Sequence, residues 1–449
     1  MNIIIIGAGN VGFTSAEVLA EGHNVLVVEN DRTKADSVKD LLNVSVLYED
    51  GTNPKILESV IDEHKTELVV ATLPEDGLNL FACMICKKYK PSIRTVATVK
   101  NQDFIIDTSE ENGMGVDMII SPEVIISNKM FKLAILENAV DYESTHFLDL
   151  AIATFKIVDG HDIVGKAGMN LDIPETCNIV CIYRGEEVIT NVETTVILPD
   201  DRISVIGNEE GIELFNRMMG AGRVNEEFVI MGANAVGLNI AKALDSMDRK
   251  AHIKIIDENP DLCVKASHEL SNAVVVNADV VDPNMLKLEN VGRADVLISV
   301  TNSDEKNLLA CMASLKFGTK KIISRYLTKQ YGEIFKYTGI ETIFGYHLAI
   351  ANEITKGLIS DEDAILRMKH DEEYFFSVVT DSHSPLLGKS YGNLSLPEGV
   401  RLVTVIRNEC TVFPRYETVF EEGDRVLVYT YKVKKGAVRK LLGKKVMEI

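Results

Sequence analysis

The chain reads as an α/β protein with two Rossmann-like, doubly wound parallel-sheet domains, each followed by a small α+β domain. Three observations predict this. The same glycine-rich turn occurs twice, as Gly7-Ala8-Gly9-Asn10-Val11-Gly12 and as Gly232-Ala233-Asn234-Ala235-Val236-Gly237. Each copy follows an apolar run and precedes a helix-like stretch, which sets it apart from ordinary turn glycines. The segments between the large lobes also repeat, in a register of their own.

The large-lobe repeat extends beyond the glycines. Gly7 pairs with Gly232, Glu29 with Asp257, Asp50 with Asp279, Pro54 with Pro283, Thr72 with Thr301 and Asn79 with Asn307. The offset drifts between 225 and 229 residues, as small loop insertions produce. In the small lobes Val164-Gly165-Lys166 pairs with Leu387-Gly388-Lys389, and Asn170-Leu171 with Asn393-Leu394. Ile173-Pro174 pairs with Leu396-Pro397 and Asp201-Arg202 with Asp424-Arg425, all at one offset of 223. The order is therefore large, small, large, small, with expected domains at 1–138, 139–222, 223–360 and 361–449.

Element by element, Asn2–Ile6, Asn24–Glu29, Ser45–Tyr48, Leu68–Ala71 and Thr95–Val99 are short apolar runs separated by helix-length segments. That alternation predicts a parallel sheet with helices on both faces. Glu123–Glu137 carries apolar residues at three-to-four spacing and predicts a helix leaving the lobe, with an equivalent near His347–Ile359. Their apolar faces mark them as interface material. In the small lobe Leu148–Lys156, Asn178–Tyr183, Glu187–Ile189 and Ile203–Ile206 read as strands and Glu210–Met218 as a closing helix. Gly185-Glu186, matched by Asn408-Glu409, makes the hairpin turn.

Composition narrows the function classes. A net charge of −20 argues against nucleic acid and against docking on anionic lipid. No stretch approaches the ~20 apolar residues that span a bilayer, and the first residues enter a strand directly, without a secretory leader. Seven scattered cysteines fit a reducing cytoplasm. Cys83 and Cys86 resemble a redox pair, but Cys83 matches Cys311 whereas Cys86 matches Ser314, so both read as core.

In such a turn the first glycine permits the tight bend, the second lets backbone approach a pyrophosphate, and the third lets the helix pack on the sheet. The phosphates then meet unpaired N–H groups at the positive end of a helix. Gly7, Gly9 and Gly12 supply all three in the first lobe. The second lobe has Gly232 and Gly237 but places Asn234 at the close-approach position, where its side chain crowds a pyrophosphate. Glu29 and Asp257 end the second strands, the place of a ribose-binding carboxylate. A carboxylate there repels a 2′-phosphate, which favours NAD(H) or an adenine nucleotide over NADP(H). Glu29 is expected to be exposed. Asp50-Gly51, Asp279, Thr72-Leu73 and Thr301 fall on the same rim of the sheet. The nine histidines form no metal-ligand pair by spacing, and no nucleophile has a base at recognisable spacing. An NAD-dependent oxidoreductase is the competing reading.

Taken together, these motifs resemble the RCK (KTN) domains that regulate potassium channels and transporters. The matching segments are GAGNVG with Glu29, then Glu49–Pro54, then the acidic-x-x-Asn segments Thr72–Asn79 and Thr301–Asn307. The small lobes, with their VGK and LGK turns, are similar to RCK C-terminal domains. The resemblance implies binding of NAD(H), with ATP or ADP as further ligands. It implies a homo-oligomeric ring on the cytoplasmic side of a membrane potassium-transport subunit, and no catalysis by the chain itself. The family often has Arg after the alanine of the fifth strand. Here Thr98 follows Ala97, whereas in the second lobe Arg325 follows Ser324.

Overall fold

The computed structural model describes residues 1–20, 22–105, 115–145, 149–220, 225–247, 251–358, 366–367 and 373–433. The boundaries expected at 222 and 360, residue Leu148 and residue Ile359 lie outside them. Two compact units emerge, Met1–Phe131 with Glu226–Leu358, and Lys132–Asn225 with Ile359–Ile449.

In the first unit one lobe contains strands β1 (Asn2–Ile6), β2 (Asn24–Glu29), β3 (Ser45–Tyr48), β4 (Leu68–Ala71), β5 (Arg94–Thr98) and β6 (Met118–Ile120). They alternate with helices α1 (Asn10–Leu19), α2 (Arg32–Leu41), α3 (Pro54–Glu63), α4 (Asp76–Tyr89) and α5 (Pro122–Ile135). The sheet order is β3-β2-β1-β4-β5-β6, all parallel. The order reverses at β1 and β4, so the turn after β1 opens at the switch point where such sheets bind ligands. Ile3 to Ile6 of β1 are each fully buried, because a central parallel strand meets helices on both faces. The caps are local chemistry: Asp31 accepts from Thr33 and Lys34 N–H at the start of α2, and Asn53 caps α3 ahead of Pro54. Strand β6 was not expected, since three residues carry too little periodicity to read.

The first small lobe has β7 (Ala139–Ser144), β8 (Ala151–Lys156), β9 (Cys177–Arg184), β10 (Glu187–Ile189) and β11 (Arg202–Gly207), closed by α6 (Glu209–Met218). The antiparallel order is β10-β9-β11-β8-β7. Strand β7 is a second unexpected element, since its sequence AVDYES mixes charge into a strand that covers a sheet edge.

The second large lobe repeats the first. Strands β12 (Glu227–Met231), β13 (His252–Asp257), β14 (Ala273–Asn277), β15 (Val296–Ser299), β16 (Lys321–Tyr326) and β17 (Thr342–Gly345) take the order β14-β13-β12-β15-β16-β17. Its helices are α7 (Ala235–Asp245), α8 (Pro260–Glu269), α9 (Pro283–Leu288), α10 (Asp304–Phe317), α11 (Lys329–Lys336) and α12 (Tyr346–Leu358). The second small lobe has β18 (Leu366–Arg367), β19 (Glu373–Val379), β20 (Val400–Arg407), β21 (Cys410–Val412) and β22 (Arg425–Tyr431), in the order β18-β19-β22-β20-β21. Among the described residues no helix is long and apolar enough to cross a membrane.

Within the first unit the exit helix of the second lobe is spent on the first. Ile350 and Ile354 of α12 are fully buried in one core with Ile3, Ile5, Leu19 and Val27. In return Ser127 of α5 donates to the Val236 carbonyl at 3.3 Å. The apolar face of α12 is therefore consumed inside the chain, contrary to the expectation that it is left for an interface. Within the second unit the two small sheets share a core, with Ile152, Val180 and Ile206 against Phe375, Val403 and Tyr429. Arg401 crosses it, donating to the Ile179 carbonyl at 2.8 Å and pairing with Glu193.

The duplicated Asp-Arg motif is explained in the same unit. Asp201 accepts a two-pronged contact from Arg184 at 2.8 Å in each prong, and Asp424 accepts the same from Arg407 at 2.7 Å. Both carboxylates are buried and also accept a backbone N–H, from Leu198 and from Glu421.

Candidate nucleotide sites at the glycine turns

At the first turn Gly7 has φ +96°, a conformation side-chain-bearing residues rarely adopt. A Cβ on Gly12 would lie 1.9 Å from the Gly7 carbonyl oxygen, so the third glycine is forced by helix-to-turn packing. Gly9 is different. Its backbone is ordinary and extended, φ −65° and ψ −179°, and a Cβ there would meet no protein atom within 4 Å. No side chain caps α1 at this residue. The protein itself does not require a glycine here. Asn10 is exposed at the helix start and Val11 half-buried.

Glu29 is buried, not exposed as the sequence suggested. Its carboxylate accepts the Ala8 N–H at 2.5 Å and the Asp31 N–H at 2.7 Å. The end of β2 is thus clamped to the glycine turn, and the expectation failed because a strand-end position alone does not reveal that clamp. Each carboxylate oxygen keeps a second lone pair. Thr72 Oγ1 donates to the carbonyls of Ile6 and Gly7 at 3.0 Å. Asn79 binds both backbone polar groups of Leu73 and the carbonyl of Thr98, tying the ends of β4 and β5 together. Thr98 is buried and spends its hydroxyl on the Ala71 carbonyl at 3.1 Å.

The second turn keeps the backbone and changes the occupant. Gly232 has φ +113°, and a Cβ on Gly237 would lie 1.9 Å from the Gly232 carbonyl oxygen. Asn234 has φ −69° and ψ −179°, nearly the geometry of Gly9. Its Oδ1 accepts the N–H groups of Val236 and Gly237 at 3.1 and 3.3 Å, and its Nδ2 donates to the Val300 carbonyl at 2.6 Å. The donors at the helix start are thereby taken by the chain's own side chain. Ala235 is exposed and Ala233 donates to Asp257 at 2.7 Å, repeating the Glu29 clamp.

Arg325 is also turned to internal use. It is buried, donates to the Val300 carbonyl at 2.8 Å and to Asn302 Oδ1 at 3.0 Å, and lies 5.6 Å from the Tyr346 ring centre. Burial pushes its guanidinium pKa down. The Tyr346 hydroxyl meets Glu123 of α5 at 3.2 Å, and burial raises the Glu123 carboxyl.

One sequence pairing needs correction. The N–H of Thr72 and that of Val300 make the same bond, to Ile6 and Met231. Leu73 and Thr301 likewise each donate to their lobe's asparagine. Thr72 is thus equivalent to Val300, and Thr301 to Leu73. The shared threonine misled because it sits one position later in the second lobe, although the loop from the strand end to the asparagine has the same length in both.

On the rim Asp50 is exposed and accepts from Thr52, while Gly51 is buried so close to Ile6 that a Cβ would lie 2.4 Å from Ile6 Cγ2. Asp279 is exposed and lies 3.6 Å from Lys306. Sequence reading missed Asp76 and Asp304 as individual residues, although they begin the acidic-x-x-Asn segments. Asp76 accepts the N–H groups of Lys100 and Asn101, and Asp304 those of Leu327 and Thr328. It also missed the Glu123–Tyr346 contact, for which spacing gives no signal. Among the described residues no group of three His, Cys, Asp or Glu is placed to hold a metal.

Residues 3–122 and 228–345 match the TrkA-N domain, and residues 152–220 and 375–443 the TrkA-C domain. The chain is 28% identical to a Trk system potassium uptake protein TrkA homolog 2 from Methanosarcina mazei, over 98% of this chain and 100% of that one. It is 23% identical to the Trk system potassium uptake protein TrkA of Vibrio alginolyticus, over 96% and 95%. Among solved structures it is similar to the GsuK RCK domain, with TM-score 0.63 at 18% identity over 98% of this chain and 94% of that one. It is also similar to a GsuK channel structure described as bound to NAD, with TM-score 0.64 at 18% identity over 96% and 76%.

Proposed function

The chain belongs to the TrkA family of paired TrkA-N and TrkA-C domains, and on that premise we propose that it is a nucleotide-binding regulatory subunit of a potassium uptake system. The relatives carry that system in their names. The nucleotide reading stands on this chain's own residues. Gly9 carries it: a glycine the protein does not need, at the uncapped start of α1 and beside the Ala8–Glu29 clamp. A ligand that brings a pyrophosphate close to the backbone supplies the missing reason.

NAD(H), or ATP or ADP, fits that chemistry. The Gly7–Gly12 backbone would hold the phosphates and the free lone pairs of Glu29 the ribose hydroxyls, with Asp50, Thr72 and Leu73 on the flank. Glu29 would disfavour a 2′-phosphate by charge. In the second lobe Asn234 and Arg325 already occupy the helix donors and the rim carbonyls. Gly232, Ala235, Val236, Gly237, Asp257, Asp279 and Thr301 there form a weaker site or none for a dinucleotide.

Regulation needs no chemistry. A nucleotide that binds one lobe arrangement better than another shifts the population by that difference alone. About 1.4 kcal/mol of preference per site is a factor of ten, multiplied by coupled sites. The partners are further copies of the chain, in a ring, and a TrkH-like membrane potassium-transport subunit met at its cytoplasmic face. Calorimetry with NADH, NAD, ATP and ADP, followed by potassium flux through the reconstituted subunit with and without each, tests the reading. Absent binding, or flux indifferent to this protein, overturns it.

A further inference from the structure

In each Rossmann lobe the fifth strand ends beside the loop that follows the fourth. Asp76 holds the backbone N–H groups of Lys100 and Asn101, as Asp304 holds those of Leu327 and Thr328. By backbone, Lys100 is therefore the counterpart of Leu327, and Thr98 that of Arg325. The bonds of Asn79 and Asn307 make Leu73 equivalent to Thr301, and hence Pro74 to Asn302. The cations do not follow this register. Arg325 donates to Asn302 Oδ1 at 3.0 Å, and Lys100 Nζ donates to the Pro74 carbonyl at 2.9 Å. Each lobe thus sets a cation against the same loop residue, from strand-end positions that differ by two in the repeat.

The two cations differ in what they can still bind. Arg325 is 4% exposed and also donates to the Val300 carbonyl at 2.8 Å. Lys100 and Pro74 are exposed. An ammonium has three donors, and one carbonyl takes only one of them. The loop that Lys100 touches borders the glycine turn, since a Cβ on Gly7 would lie 3.2 Å from Leu73 Cδ2. The same rim carries the carboxylates of Glu29, Asp50 and Asp76. Burial raises the Glu123 carboxyl of α5, and the charge of Lys100 opposes that. A ligand with several phosphates needs a cation on such a rim, and Lys100 supplies one.

We propose that Lys100 binds the terminal phosphate of a nucleoside triphosphate held at the first glycine turn. The inference rests on the nucleotide reading above and gives that site a ligand class and one further residue. The sheet order β3-β2-β1-β4-β5 sets the direction. The ribose stands at the end of β2 and the first phosphates at the turn after β1. A longer phosphate tail continues past β4 to the end of β5, where Lys100 stands. ADP ends at the turn, and NADH carries a riboside in that direction instead of a phosphate.

Calorimetry of the full chain with ATP, ADP and NADH, in buffer free of divalent cations, tests the assignment. Lys100→Met should lose roughly tenfold in ATP affinity, as expected for one charge-assisted bond to phosphate, and less than about threefold for ADP and NADH. Lys100→Arg should keep the preference for ATP. Circular dichroism should be unchanged in both, because the side chain is exposed. Salt gives a second readout. The ratio of ATP to ADP affinity should fall with ionic strength in the wild type and much less in Lys100→Met. Equal losses for all three ligands, or no loss for ATP, would overturn the role of Lys100. A wild type that binds ADP or NADH but not ATP overturns it too, while leaving the nucleotide reading in place. A wild type that binds none of them overturns both.

Discussion

The carboxylate of Glu29 accepts the backbone N–H of Ala8 at 2.5 Å. A residue that looks like a ligand contact is therefore also a clamp on the turn that would hold the ligand. Glu29→Ala should accordingly affect two observables. Losing a charged acceptor beneath two backbone donors costs roughly 1–3 kcal/mol of stability, read as a lower urea midpoint. NADH affinity should fall in the same variant, and wild-type protein should bind NADPH more weakly than NADH. Unchanged stability would deny the clamp, and NADPH binding equal to NADH would deny the ribose role.

The buried carboxylates of the small lobes give a separate stability prediction. Asp201 is 1% exposed and is held by both prongs of Arg184 and by the Leu198 N–H. Asp201→Ala leaves that N–H without its acceptor and removes the arginine's partner. A loss of about 3 kcal/mol is expected, lessened because Arg184 is partly in water. Asp424→Ala should behave alike, since Arg407 and Glu421 repeat the arrangement. Denaturant unfolding followed by circular dichroism measures both.

His347 predicts a pH dependence. It sits at the start of α12, edge-on to Tyr346 at 5.1 Å, with Asp304 and Arg325 nearby, and burial pushes its imidazole pKa down to about 4. The unfolded chain takes up this proton near pH 6.5, the native chain only near pH 4. Over that interval the unfolded state binds more protons, so stability falls as pH is lowered, by up to roughly 3 kcal/mol at its foot. His347→Gln should flatten that part of the curve. A wild-type profile that overlays the variant between pH 6.5 and 4 would contradict the assignment.

What the sequence revealed and what it concealed divide along physical lines. The strands of the parallel sheets were legible because a strand buried on both faces is an unbroken apolar run, as Ile3–Ile6 is. The glycines at 7, 12, 232 and 237 were legible because positive φ or a 1.9 Å approach admits no other residue. Strand β7 was hidden because charges interrupt it. The burial of Glu29, the bonds of Asn234 and the use of Arg325 were hidden because hydrogen bonds between side chains and loop backbone leave no periodic trace. The one-residue error at Thr72 arose because identity was read without the backbone bond that fixes register.

The asymmetry between the turns can be reversed by exchanging one residue each. Gly9 and Asn234 have nearly the same backbone angles, so neither Gly9→Asn nor Asn234→Gly requires the chain to move. At position 9 an asparagine should take up the N–H groups of Val11 and Gly12, as Asn234 takes those of Val236 and Gly237. Helix stability should then change by only a few tenths of a kcal/mol, the usual difference between Asn and Gly at an N-cap. Binding should change far more, because hydrogen bonds from backbone N–H to a phosphate are charge-assisted and each is worth about 1.5–3 kcal/mol. Wild-type protein should bind NADH at one strong site per chain. Gly9→Asn should lose at least tenfold in affinity there, while Asn234→Gly should gain a second site. Calorimetric stoichiometry and affinity for the wild type, the two single variants and the exchange of both decide it. Gly9→Asn binding as tightly as wild type would show that the pyrophosphate does not approach the first turn, and the reason given for its glycine would fall with it.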